Sequence, residues 1–156
     1  MPAEPHTGTA LPVGPATTAR IVINSDMMAV RDGLHHLFTC DLLAGLTEES
    51  RGTAEIVLAE ALNNVVEHAY ARYPGKIEVV MRRRDPELLF DIRDDGLPMP
   101  GAEPPLGHLR EVLEIDDLPE GGFGWFLIRS LAHGLAYRRL NDRNLLSFCV
   151  PADYRP

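Results

Sequence analysis

Three residues spaced by four, Glu60, Asn64 and His68, are of types that do chemistry together. On a helix each step of four advances only about 40° around the axis, so a carboxylate, an amide and an imidazole share one narrow face. The same stretch carries Leu58, Leu62, Val65 and Ala69 at helical spacing, an apolar stripe that needs a core. Polar groups bordering such a stripe are costly unless they are paired or face a cavity. Taken alone, the spacing also describes the solvated face of an amphipathic helix. It does not describe a zinc site, because no His-Glu-x-x-His is present.

Two further groups follow. Asp94-Asp95-Gly96 closes the segment LLFDIR. A carboxylate at a strand end, followed by glycine, lets a planar ligand approach the backbone and accepts a hydrogen bond from an exocyclic amine such as that of adenine. Asp-Gly is equally an ordinary turn dipeptide. Gly121-Gly122-Phe123-Gly124 precedes the apolar run WFLIRSLA. Exposed backbone N–H groups at the positive end of a helix suit phosphate. No Lys-Ser or Lys-Thr follows, as a Walker loop requires, and no strand-plus-acid unit surrounds it, as a dinucleotide fingerprint requires.

The elements that must position these groups are legible in the pattern. ARIVIN (19–24) reads as a first strand. Asp26 caps a helix with Met27, Val30, Leu34, Leu37 and Phe38 as its stripe, weakened by Gly33. Thr47-Glu48-Glu49-Ser50 opens a second helix that runs to about Tyr70, with Ile56, Leu58, Ala61, Leu62, Val65 and Ala69 on its apolar side, and Tyr73-Pro74-Gly75 stops it. Segments 76–85 and 87–95 alternate around Asp85-Pro86 as an antiparallel hairpin. Residues 96–120 are rich in proline and glycine, the composition of a functional or a disordered segment. A helix and a last hairpin, turning at 141–144, complete the chain. The expected architecture is α+β: a two-layer sandwich with helices packed on one face of a mixed, mainly antiparallel sheet.

The three groups in this order, with a long loop between the last two, resemble the Bergerat-fold (GHKL, or HATPase) ATPases, and within them the anti-sigma-factor serine-protein kinases of the RsbW and SpoIIAB type. The resemblance covers roughly residues 19–151. Glu60 and Asn64 match the family's N box, with His68 in an HAY that looks like its HGY or HAY; Asp94 and Gly96 match the first glycine box; Gly122, Phe123 and Gly124 match the second. Pro98 stands where the family's Asp-x-Gly-x-Gly has its second glycine, which removes a backbone donor. The resemblance implies ATP and Mg²⁺ as cofactors: Asp94 reads adenine with Gly96 beneath it, Asn64 holds Mg²⁺, Gly122 and Gly124 meet the phosphates, and Glu60 is the general base. Between Asp95 and Gly121 the only cationic candidates are His108 and Arg110, and Arg110 is the candidate for the γ-phosphate.

The resemblance further implies a serine/threonine-protein kinase that switches partners. Its substrate would be an anti-sigma-factor antagonist of the STAS type, its client a sigma factor or another regulator, and its state a homodimer. Arg31 lies where relatives place an arginine at the partner surface. The alternative is a module of the same fold that binds nucleotide or partner without transferring phosphate. A sensor histidine kinase would need a further dimerising helical domain with an acceptor histidine.

Bulk properties agree. The chain has 156 residues, 45% of them hydrophobic, which suits one globular domain. The expected division is a flexible tail over 1–18 and one ATP-binding kinase domain over 19–156, with an ATP lid at about 96–121. A formal net charge of −8 argues against a protein built to grip nucleic acid. Nothing approaches the roughly 18 apolar residues of a membrane span, and residues 1–20 lack the features of a signal peptide, so the expected location is the cytoplasm. Cys40 and Cys149 sit among apolar residues and read as buried free thiols.

Overall fold

The β-branched run Ile21-Val22-Ile23 favours extended chain, and TARIVIN forms strand β1 (Thr18–Asn24). The computed structural model describes residues 17–105 and 122–156. Helix α1 (Met27–Phe38) starts at Asp26, whose carboxylate accepts the Ala29 N–H at 2.8 Å. Helix α2 (Glu48–Asn64) starts at Thr47, whose hydroxyl accepts the Ser50 N–H at 3.3 Å, and Glu48 and Glu49 complement the positive end of its first turn.

A π-helical turn, Val65–Ala69, continues α2, and the Tyr70 N–H donates to the Val65 carbonyl at 3.0 Å, five residues back. Strands β2 (Lys76–Arg84) and β3 (Glu87–Asp94), helix α3 (Gly122–Leu131) and strands β4 (His133–Leu140) and β5 (Arg143–Pro151) follow.

The strands form one sheet in the order β1-β2-β3-β5-β4. Strict alternation in β3 and β5 buries Leu88, Phe90 and Ile92 together with Leu146, Phe148 and Val150 on one face. The rings of Phe90 and Phe148 stack with centroids 5.3 Å apart. Helix α2 packs between α1 and α3 and reaches β3 and β5 beneath it. Its buried Val57, Leu58, Ala61 and Leu62 close the core against the sheet and Ile128 of α3.

This is the expected two-layer α+β sandwich, with some differences of detail. All four strand pairs among the described residues are antiparallel, so the sheet has no parallel component. Ile56 and Met27 are about half exposed rather than part of their helices' buried stripes. Helices α1 and α2 bury one side only, and both residues fall outside the arc that the sheet and neighbouring helices cover. Cys40 and Cys149 are free thiols, as expected, but only half-buried. The sheet also begins earlier than residue 19, since the Thr17 carbonyl accepts the Arg83 N–H at 2.8 Å. The last turn is shorter than 141–144: Asn141 and Asp142 alone make it, both with positive φ, and Arg143 and Asn144 already pair in β5. Residues 1–16 of the expected tail and residues 106–121 of the expected ATP lid lie outside the described residues, with His108, Arg110 and Gly121 among them.

Candidate functional site

Helix α2 and its π turn lie along one side of a cavity of about 500 Å³, and the ends of β3 and β5 close the other. Asn64, Val65, His68 and Ala69 come from the helix side; Asp94, Leu97, Met99, Tyr137, Asn144 and Leu146 come from the strands and the segment after β3. Ala61, Ala71, Trp125 of α3 and Pro98, Pro100 and Pro105 of the segment after β3 complete the lining. The walls are mostly apolar and the polar groups few, the usual composition of a small-molecule site.

Asp94 is the last residue of β3 and is 5% exposed. Its Oδ1 accepts two bonds, from the Gly96 N–H at 2.9 Å and from Asn144 Nδ2 at 2.8 Å. Among the described residues no donor reaches Oδ2, which leaves that oxygen available to a ligand's N–H. Burial pushes the Asp94 carboxyl above the usual carboxylate range, and the bonds from Asn144 and Gly96 oppose this only in part.

Asn144 organises this end. Its amide nitrogen also donates to the Leu97 carbonyl at 2.9 Å, and its oxygen accepts from Tyr137 Oη at 2.5 Å and Arg139 Nη1 at 2.7 Å. Arg139 donates in addition to the Gly96 carbonyl at 3.0 Å. The Tyr70 hydroxyl pins the same corner: it donates to the Lys76 carbonyl at 2.5 Å and accepts the Asp95 N–H at 2.9 Å.

Gly96 is needed for a reason other than room for a base. A Cβ there would stand 2.4 Å from the Ala69 carbonyl oxygen, and the neighbouring Leu97 N–H donates to that same oxygen at 2.8 Å. The close approach is of backbone to backbone, between the end of β3 and the π turn.

At the other end, Asn64 is 8% exposed and its Nδ2 is buried with no hydrogen-bond partner. An orphaned amide in a cavity wall calls for a ligand, and because the two ends of an amide are interchangeable, it can offer oxygen or N–H there. Gly124, in the first turn of α3, abuts it: a Cβ on Gly124 would lie 2.6 Å from Glu60 Oε2 and 3.8 Å from Asn64 Nδ2. Glu60 is half-buried beside this point, so carboxylate, amide and the start of a helix converge.

The structure therefore sets Asn64 and Asp94 in the lining of one cavity, with Glu60 and Gly124 meeting beside Asn64 and Gly96 packed against Ala69, outside that lining. His68 lines the cavity too, but is exposed, because the π turn inserts an extra residue per turn and changes the phase after Val65. Gly122 is the first residue of α3. Phe123 is about half exposed, sits against Phe126 with centroids 6.2 Å apart, and does not line the cavity. Arg31 is exposed on α1, and Arg110 lies outside the described residues. Sequence reasoning missed Asn144, Tyr137, Trp125 and Met99. Asn144 had a signal: it is the one polar residue in the core-facing phase of Asn144, Leu146, Phe148 and Val150.

A helix-on-sheet fold with a cavity of about 500 Å³ between its central helix and the strand ends has the form of a small-molecule-binding domain. Residues 25–150 match the family model described as the histidine kinase-like ATPase domain, and the chain belongs to that family. It is also similar to a serine/threonine-protein kinase, BtrW, of Bordetella bronchiseptica, with 34% identity over 101 residues that span 62% of this chain and 68% of the relative.

Proposed function

We propose that the protein is an ATP-dependent serine/threonine-protein kinase that acts on a partner protein. The observation that carries the reading is the buried Asp94 with a free Oδ2, facing across one cavity the unpartnered Asn64 with Glu60 beside it. The similarity to a protein named as such a kinase supports it.

Asp94 accepts a hydrogen bond from the exocyclic amine of adenine, while Val65, Leu97 and Leu146 cover the base. The backbone N–H groups at Gly122 and Gly124 face the phosphates at the positive end of α3. Asn64 fits a Mg²⁺ ligand, since its orphaned amide can turn its oxygen to the cavity; bound there, Mg²⁺ would neutralise charge on the phosphates. Glu60 takes the proton of a serine or threonine hydroxyl as that oxygen bonds to the γ-phosphorus and ADP departs with the electron pair of the broken P–O bond. Arg110 and Phe123 are proposed only as neighbours of the γ-phosphate and the helix start.

The partners fit the same reading: a STAS-type antagonist as substrate, a sigma factor or other client, a homodimer, and a cytoplasmic setting. No helix among the described residues is long and apolar enough to cross a membrane. The test is transfer of labelled phosphate from MgATP to a STAS-domain protein from the same source. The parent transfers it, and Glu60→Ala binds ATP but does not. Transfer by Glu60→Ala at the parent rate removes the base assignment. ATP binding without any transfer favours the second reading, a sequestering module, to which Pro98 in the lid lends support.

A further inference from the structure

On the face of the sheet turned away from the helices, three strands bring together Glu87, His133 and Cys149. We propose that these residues form a site for a single Zn²⁺-type divalent transition-metal ion, separate from the nucleotide cavity. One carboxylate oxygen, one imidazole nitrogen and the thiol sulfur all lie within 4.8 Å of one another, and His133 Nε2 is 2.6 Å from Glu87 Oε1. Ligand atoms sharing one zinc ion sit about 3.3–3.8 Å apart, given bonds of about 2.0–2.3 Å. Glu87 and His133 have side chains 35% and 50% exposed, so small rotations can separate their ligand atoms to that spacing without disturbing the core.

The backbone shows why this trio exists. From Ala136 to Leu140, strand β4 pairs with β5 in one register, with Ala136 opposite Ser147 and Tyr137 opposite Leu146. Continued regularly, that register would set residue 134 opposite Cys149 and turn His133 to the helix side, with Tyr137. Instead a β-bulge between His133 and Ala136, with Gly134 at φ +63, shifts the pairing by one, and His133 stands opposite Cys149. The bulge moves the imidazole onto the face that carries the thiol. Cys149 and Glu87 share that face, as their strands alternate with the buried Val150 and Leu88 on the other.

The ligand chemistry selects the ion. A thiolate, an imidazole and a carboxylate suit zinc and its neighbours rather than calcium or magnesium, and three protein ligands leave a fourth position for water. Burial first, and the Glu87 carboxylate second, push the Cys149 thiol up, so without a cation it keeps its proton. Binding forms the S–metal bond and releases that thiol proton to solvent; the Nε2 proton that His133 gives to Glu87 passes through solvent to Nδ1, which frees the Nε2 lone pair for the ion, and Glu87 exchanges its hydrogen bond to the ring for a bond to the ion.

The test uses the full chain, stripped with a chelator and titrated with Co²⁺ as a spectroscopic stand-in, then with Zn²⁺ in competition. The expected result is a near-ultraviolet thiolate-to-cobalt band that saturates at one equivalent and is abolished by zinc. The band is lost in Cys149→Ser, and affinity falls at least tenfold in His133→Ala. Because these variants could perturb the sheet, Zn²⁺ protection of Cys149 from alkylation, read by mass spectrometry in the unaltered chain, is a second measure; it is expected to exceed any protection of Cys40. A band that persists in Cys149→Ser, an affinity indifferent to His133→Ala, equal alkylation with and without Zn²⁺, or no band at all overturns the proposal.

Discussion

Asp94 combines two demands that usually oppose one another. It is buried, which disfavours its charge, and that charge is what a ligand amine would meet. Asp94→Asn keeps an oxygen for the Gly96 and Asn144 donors but removes the cost of burying a carboxylate. Its melting temperature at neutral pH is therefore expected to equal or exceed the parent's. The sign with pH follows from the raised carboxyl: in the parent the penalty is full above the folded-state pKa and fades as pH falls toward the unfolded value. The advantage of Asp94→Asn shrinks in acid accordingly, and melting curves over that range check it. Asn144 is the opposite case, since it satisfies Asp94, Leu97, Tyr137 and Arg139 at once. Asn144→Leu strands several of them, and urea unfolding is expected to show a loss of about 2–4 kcal/mol.

Two glycines separate positioning from chemistry at the scale of elements. The Cβ of Gly96→Ala would meet backbone, the Ala69 carbonyl oxygen at 2.4 Å, at the joint between β3 and the π turn. Neither element can yield cheaply, so stability is expected to fall by about 2–4 kcal/mol in chemical denaturation. The Cβ of Gly124→Ala would meet the far end of a flexible side chain, Glu60 Oε2. That side chain can swing away, and alanine is the better helix former, so the fold is expected to hold within about 1 kcal/mol. Phosphotransfer, measured with labelled ATP, should drop at least tenfold because the carboxylate is displaced. The elements themselves were legible because their signals are local: Asp26 and Thr47 as caps, alternation in β2 and β3, and a polar turn before β5. The π turn was not, because Val65–Ala69 reads as plain helix, and what distinguishes it, the Tyr70 N–H bonding five residues back to Val65, has no local signal in the sequence. Ile56 and Met27 misled for a related reason: spacing gives a face, and only the neighbours decide how wide the covered arc is.

Across the whole molecule, residues between positions 61 and 146 that are far apart in the chain meet in the cavity, and this divides what sequence could tell from what it could not. Asn64 and Asp94, which line it, were legible because each belongs to a short motif whose chemistry is carried by neighbours in the chain. Trp125, Met99 and Tyr137 were not, because they look like core or loop residues until the fold brings them to the same space. Closure of a ligand between α2 and the sheet ties the two layers together, so saturating MgATP at a hundredfold over its Kd should stabilise the domain by about 2.7 kcal/mol. Most direct is a calorimetric titration of MgATP into the parent and into Asp94→Asn under identical conditions. One equivalent bound by the parent and none by the folded variant is the predicted result. Equal binding to both, or none to the parent, would contradict the assignment of this cavity to adenine nucleotide.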